Sequence, residues 1–107
     1  MTTAAAFRSI ALSLDGTTDA PHFDRQAFRV KRIFATLAAD GLSANLNLTP
    51  DEQEFKVMLA PEAFRPIDNA WGRKGWTIVL LEKLSEAELR AALEMAHKHA
   101  VGTGTRR

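Results

Sequence analysis

The sequence has 107 residues, 46% apolar and 25% charged, with 14 basic against 13 acidic side chains and a net charge of +1. This suits one small soluble domain, and because 18 of the apolar residues are alanine, the larger side chains suffice for a single modest core. The absence of cysteine excludes a disulfide scaffold, a thiol nucleophile and a thiolate metal site, and the near-neutral balance falls short of the pI above ~9 of a dedicated nucleic-acid binder.

The first predicted element is a helix. Phe7, Ile10, Ala11 and Leu14 recur at helical spacing and make one apolar stripe. Thr2 and Thr3 are the N-cap candidates, and Asp15-Gly16 ends the helix with glycine suited to the left-handed C-cap position. No basic segment precedes the alanine-rich start before Arg8, so a secretory signal is not expected. Nor does any apolar run approach the ~18 residues of a membrane span. The expectation is a cytoplasmic protein with no membrane partner.

A strand-rich stretch runs from Ala20 to Leu48. Phe23 precedes a polar turn at Asp24-Arg25-Gln26. Phe28-Arg29-Val30 and Ile33-Phe34-Ala35-Thr36-Leu37 then flank Lys31-Arg32. If Lys31-Arg32 is a two-residue hairpin turn, Val30 faces Ile33 and Phe28 faces Ala35. Phe28, Val30, Ile33, Ala35 and Leu37 then share one sheet face, and Arg29 and Phe34 lie on the other. Lys-Arg is poor chemistry for a tight turn, and a bulge within one long bent strand is the competing reading. Asp40-Gly41 is a clearer turn, leading into the clean alternation from Leu42 to Leu48.

A second helix begins at Thr49, with Pro50 at the first helical position and Glu52 completing a capping box. Phe55, Met58 and Leu59 form its apolar stripe, and Pro61 ends it. Phe64-Arg65-Pro66 reads as extended. Gly72-Arg73-Lys74-Gly75 reads as a turn between two tryptophans, followed by an apolar, central strand Trp76–Leu81. Ser85 caps a last helix with Glu88, and Leu89, Ala92, Leu93, Ala96 and Ala100 make its buried face. Residues 1–107 thus form one domain, with a core from about 5 to 100 and a frayed tail over 102–107. Helices alternating with mostly antiparallel strands specify an α+β two-layer domain.

Phe28-Arg29-Val30, Ile33-Phe34-Ala35-Thr36-Leu37, the step ending in Pro50 and, above all, Trp71-Gly72-Arg73-Lys74-Gly75-Trp76-Thr77 resemble the YjbR/MmcQ family of small bacterial proteins. The resemblance covers roughly residues 5 to 100. It implies an α-β-β-β-α-β-β-α fold similar to frataxin and type III secretion chaperones. It also implies a DNA-binding role through two protruding β-hairpins, with no enzyme activity, metal or cofactor. The sequence departs from the family at Lys31-Arg32, where relatives commonly carry a longer glycine-containing turn.

The candidate nucleic-acid-binding residues are Arg25, Arg29, Lys31, Arg32, Arg73, Lys74 and Trp71. Cations at hairpin tips can reach a phosphate backbone, and an adjacent aromatic can stack on an unpaired base. The same cations also serve as ordinary solubility residues and guards of strand edges. Trp76, opening an apolar strand, reads as core. His97 and His99 are two apart on a helix and point away from each other, and His22 is remote, so a shared metal is not expected. The carboxylates Asp51, Glu52, Glu86 and Glu88 complement helix dipoles. The first helix carries no acidic ridge, which argues against frataxin-like iron binding. No nucleophile with an adjacent base and no phosphate-cradling loop is present, so no enzyme activity and no cofactor are expected. Gly72-x-x-Gly75 only weakly matches a backbone-clamping loop. The leading expectation is a DNA-binding module using two basic β-hairpins. The alternative is a protein-interaction or chaperone-like module with an open sheet face of Phe34, Thr36, Asn45 and Asn47. A small-molecule pocket at Phe64, Trp71 and Trp76 is a third reading.

Overall fold

In the computed structural model, which describes residues 2–102, the chain runs through α1 (Ala4–Ser13), β1 (Thr18–His22), β2 (Arg25–Arg29), β3 (Ile33–Ala38) and β4 (Ser43–Asn47). It continues through α2 (Pro50–Leu59), β5 (Phe64–Pro66), α3 (Ala70–Arg73), β6 (Trp76–Leu80), a 3-10 turn at Leu81–Lys83 and α4 (Glu86–Gly102). The strands form one antiparallel sheet in the order β1-β2-β3-β4-β6-β5. Helices α1 and α4 cover one face, giving the expected α+β two-layer architecture. Phe7 of α1 meets Phe28 of β2 edge-on at 5.5 Å. Leu89, Ala92, Leu93, Ala96 and Ala100 of α4 are buried in the same core. Gly102 closes α4, and the rest of the expected tail, 103–107, lies outside the described residues.

The capping motifs set the helix starts as expected. Thr3 accepts from the Ala6 N–H. Thr49 and Glu52 form a reciprocal box at 3.0 and 3.1 Å, and Ser85 and Glu88 form another at 2.8 and 3.1 Å. The Ser85 backbone and hydroxyl bonds hold the Glu88 carboxyl below its usual 4.5.

Four features depart from the sequence reading. First, β1 begins at Thr18, so four strands precede α2, and the turn falls at Phe23-Asp24. Arg25 and Gln26 therefore belong to β2. Phe23 takes the positive φ of 60° that the turn requires, a rare role for a bulky residue.

Second, Lys31-Arg32 is not a two-residue turn. Phe28 pairs with Ala35 as expected, but Arg29 pairs with Ile33, so Phe34 is an extra residue in β3. Val30, Lys31 and Arg32 make the connection, closed by the Val30 N–H on the Arg32 carbonyl. A bulge re-aims side chains, and this one exchanges two of them. Phe34 turns into the helix layer, fully buried and edge-on to His97 of α4 at 5.5 Å. Ile33 moves to the helix-free face.

Third, the apolar stripe of α2 is not buried. Phe55, Met58 and Leu59 are exposed, Met58 by 70%. The helix attaches through half-buried Val57 and Ala60, and through Gln53.

Fourth, only the second half of Gly72-Arg73-Lys74-Gly75 is a turn: Gly72 and Arg73 end the short helix α3, and Lys74 and Gly75 turn the chain into β6. Asn69 caps α3 by accepting from the Trp71 and Gly72 N–H groups. Its two glycines are set by close backbone packing. A Cβ on Gly72 would lie 1.7 Å from the Ile67 carbonyl oxygen, and one on Gly75, at φ +115°, would lie 1.8 Å from that of Leu48.

Gly75→Ala is therefore expected to cost well beyond the ~1–2 kcal/mol of left-handed backbone alone. Gly16→Ala, also at positive φ but with only an ordinary contact at 3.4 Å, is expected to cost no more than that. Urea midpoints of the two variants check the contrast. Equal losses would show that the backbone around Leu48 yields freely.

Candidate nucleic-acid interface

Residues paired across neighbouring strands share a sheet face. The row Ala27–Thr36–Asn45–Ile78–Arg65 therefore lies on the face away from α1 and α4. Extending it by the two-residue period adds His22, Arg25 and Arg29 on the β1–β2 side and Trp76 on β6. This face carries three arginines and no strand carboxylate. Asp19, the one acidic residue within a strand among the described residues, lies on the opposite face, ion-paired to Arg8 of α1 at 2.6 Å and accepting from Gln26. Asp24, Asp68 and Glu82 stand in the connections at the sheet's ends.

A groove of about 450 Å³ crosses this face. One side is formed by His22, Arg25, Ile33 and Thr36, with Asn45 between. The other is formed by Ile67, Asn69, Trp71 and Trp76. Arg25 is anchored by Nε donating to Thr36 Oγ1 at 2.8 Å and by Nη2 on the Thr36 carbonyl. Trp71 is 59% exposed, and Lys74 Nζ lies 5.3 Å from its ring centroid. Gln53 of α2 donates to the Gly72 and Trp76 carbonyls at 3.0 Å each, fixing α3 and the start of β6 together.

The anticipated residues are only partly gathered. Trp76 pairs with Asn47, and Ala35 with Leu46, so the Val30–Arg32 connection and α3 lie at the same end of the sheet. Two strand spacings, ~10 Å, separate β3 from β6. Lys31, Arg32, Arg73 and Lys74 are exposed there, with Arg29 beside them. Arg25 sits at the other end of β2. The second basic hairpin tip is the α3 turn. The first is no free-standing ribbon, because β1 and β4 flank β2 and β3.

Three further expectations are corrected. Trp76 is half-buried on the helix-free face rather than in the core. Phe34 is absent from the open face because of the bulge. Phe64 is buried on the helix side, so it cannot join both tryptophans in one pocket. Arg65 was missed. Its extended segment was visible, but the pairing with β6 that puts it opposite Ile78 was not, since the sequence shows no partner for so short a strand.

The histidines are dispersed. His97 Nε2 contacts the Asp15 carbonyl at 2.7 Å, and His22 packs edge-on to Phe23 at 4.7 Å. No group of three or more metal-binding side chains occurs among the described residues. Burial pushes the His99 imidazole below its usual 6.5, and the nearby Arg32 charge pushes the same way. Among the described residues, no helix is long and apolar enough to cross a membrane.

Comparison with known proteins gives a family and a fold. A family model described as YjbR matches residues 12–99. The crystal structure of the Deinococcus radiodurans protein DR2400, with a DUF419 domain, superposes with a TM-score of 0.84 at 20% identity. The match covers 100% of this chain and 84% of that one, and at this identity it speaks to the fold. Comparison with curated proteins gives no match.

The His99 shift has a definite sign. Below its usual 6.5, the unfolded chain takes up a proton that the folded chain binds less readily, so acidification through that range lowers stability. His99→Gln is expected to flatten the dependence of the urea midpoint on pH below about 6.5. An unchanged slope would assign the dependence to another group.

Proposed function

The chain belongs to the YjbR family, and on that premise we propose that it is a non-enzymatic, cytoplasmic DNA-binding module. The helix-free sheet face is its binding surface. The observation that carries this reading is the sorting of charge between faces. Arg25, Arg29 and Arg65 share the helix-free face, while Asp19 is turned to the helices and neutralised by Arg8. Lys31, Arg32, Arg73 and Lys74 extend the positive surface around one end of the sheet. Such a surface holds phosphates by charge, releasing counterions, and carries no base preference of its own. With a net charge of only +1, attraction at a distance is weak, so affinity depends on contact. Non-specific affinity near ~10⁻⁴–10⁻⁶ M at physiological salt is expected.

A second reading, a protein-interaction module, draws on a different surface. Phe55, Met58 and Leu59 of α2 are exposed together, and an exposed apolar patch commonly marks a protein contact. Loss of DNA binding together with concentration-dependent association would favour it.

The test is a titration with DNA at several salt concentrations. The log–log slope is expected to be no steeper than about −6. Replacing Arg29, Lys31 and Lys74 together by Ala is expected to flatten it by roughly 3, while the melting temperature stays within a few degrees because all three are exposed. No binding to any DNA at ~50 mM salt would overturn the proposal.

A further inference from the structure

We infer that the DNA held on this face is an unpaired strand, whose bases stack on Trp71 and Trp76. The inference rests on the DNA-binding reading and names its substrate class. The face is a sheet of six strands, ~24 Å across at ~4.8 Å per strand. The major groove of a duplex is ~12 Å wide and admits a helix or a two-stranded ribbon. Neither is offered here. The Val30–Arg32 connection belongs to strands flanked on both sides, and α3 is a single four-residue turn. A duplex could touch only the charged rim, leaving the floor of the groove unused.

That floor suits splayed bases. Trp76 and Ile33 offer apolar surface, and Asn45 between them offers an amide with both donor and acceptor atoms. Trp71 forms a wall, exposed enough to receive a base and steadied by the Lys74 ammonium over its ring. Arg29 pairs with Ile33 on one side of the groove and Arg65 with Ile78 on the other, where the phosphates of a strand crossing the sheet would pass. Aromatic floors bordered by cations are how sheet surfaces hold unpaired strands with little base preference. The face carries one sign of charge, so an acidic strand meets no repulsion from strand carboxylates.

The protein supplies its own reporter. It has two tryptophans and no tyrosine, and both tryptophans line the groove. Stacked bases quench indole emission, so fluorescence reads occupancy of this site. The probes are a thymidine oligomer of about ten nucleotides, within the ~4–16 that such surfaces span, and a duplex of equal length at the same salt. The oligomer is expected to quench emission and to bind about tenfold more tightly than the duplex. Trp71→Ala is expected to weaken oligomer binding about tenfold and so to remove that preference, and Trp71→Phe to restore most of it. Duplex binding equal to or tighter than the oligomer's, or oligomer binding without quenching, overturns the inference and leaves the DNA-binding reading standing. No binding of either probe overturns the DNA-binding reading itself.

Discussion

The backbone junction at Gly72 and Gly75 is the constraint on which the arrangement of this molecule depends. At these two points the chain of α3 and the start of β6 lie directly on the carbonyls of Ile67 and Leu48, closer than any side chain allows. Hydrogen bonds close the junction from three directions. The Leu48 N–H donates to the Gly75 carbonyl, the Thr77 hydroxyl donates to the same oxygen, and the Ile67 N–H donates to the Trp76 carbonyl. The junction joins β4, α2, α3 and β6 at one end of the sheet, and it sets where both tryptophans stand. The Gly-Arg-Lys-Gly run is thereby accounted for by packing. Its cations project because its glycines are pinned.

A second determinant is the single extra residue in β3. Without the bulge, strict alternation would put Phe34 on the helix-free face and Ile33 among the helices. The inserted residue reverses this, filling the space beneath His97 with a large ring and leaving a smaller side chain in the groove. One local irregularity thus completes the core and clears the open face. The same face is kept free of acid by placing Asp19 opposite Arg8.

Much of the fold was legible because local chemistry and tertiary demand agreed. The two capping boxes, the Asp40-Gly41 turn, the pairing of Phe28 with Ala35 and the five buried residues of α4 all follow from side-chain type and spacing. What escaped depended on distant partners. The polar, proline-containing β1 is a strand because β2 lies beside it, and its turn uses a phenylalanine in a conformation usually left to glycine. The stripe on α2 has helical spacing but meets no layer. In the site, Trp71, Arg29 and Lys74 were recognisable as chemistry. Arg65 and the half-exposure of Trp76 were not, since both follow from which strands pair and which face the helices leave open.

The way α2 is held has a consequence for the kinetics of the molecule. This helix has no fully buried residue. Its tether is its capping box, half-buried Val57 with Ala60 just beyond its end, the Lys56 ammonium over the Phe64 ring and the Gln53 amide. Helices held so lightly open locally at a free energy well below that of global unfolding, and their amide protons exchange first. Because Gln53 bonds to the Gly72 and Trp76 carbonyls, each such opening removes a support from the groove's wall. The helix-free face is thereby coupled to a lightly anchored helix, and its breathing is set by a segment that does not line the groove.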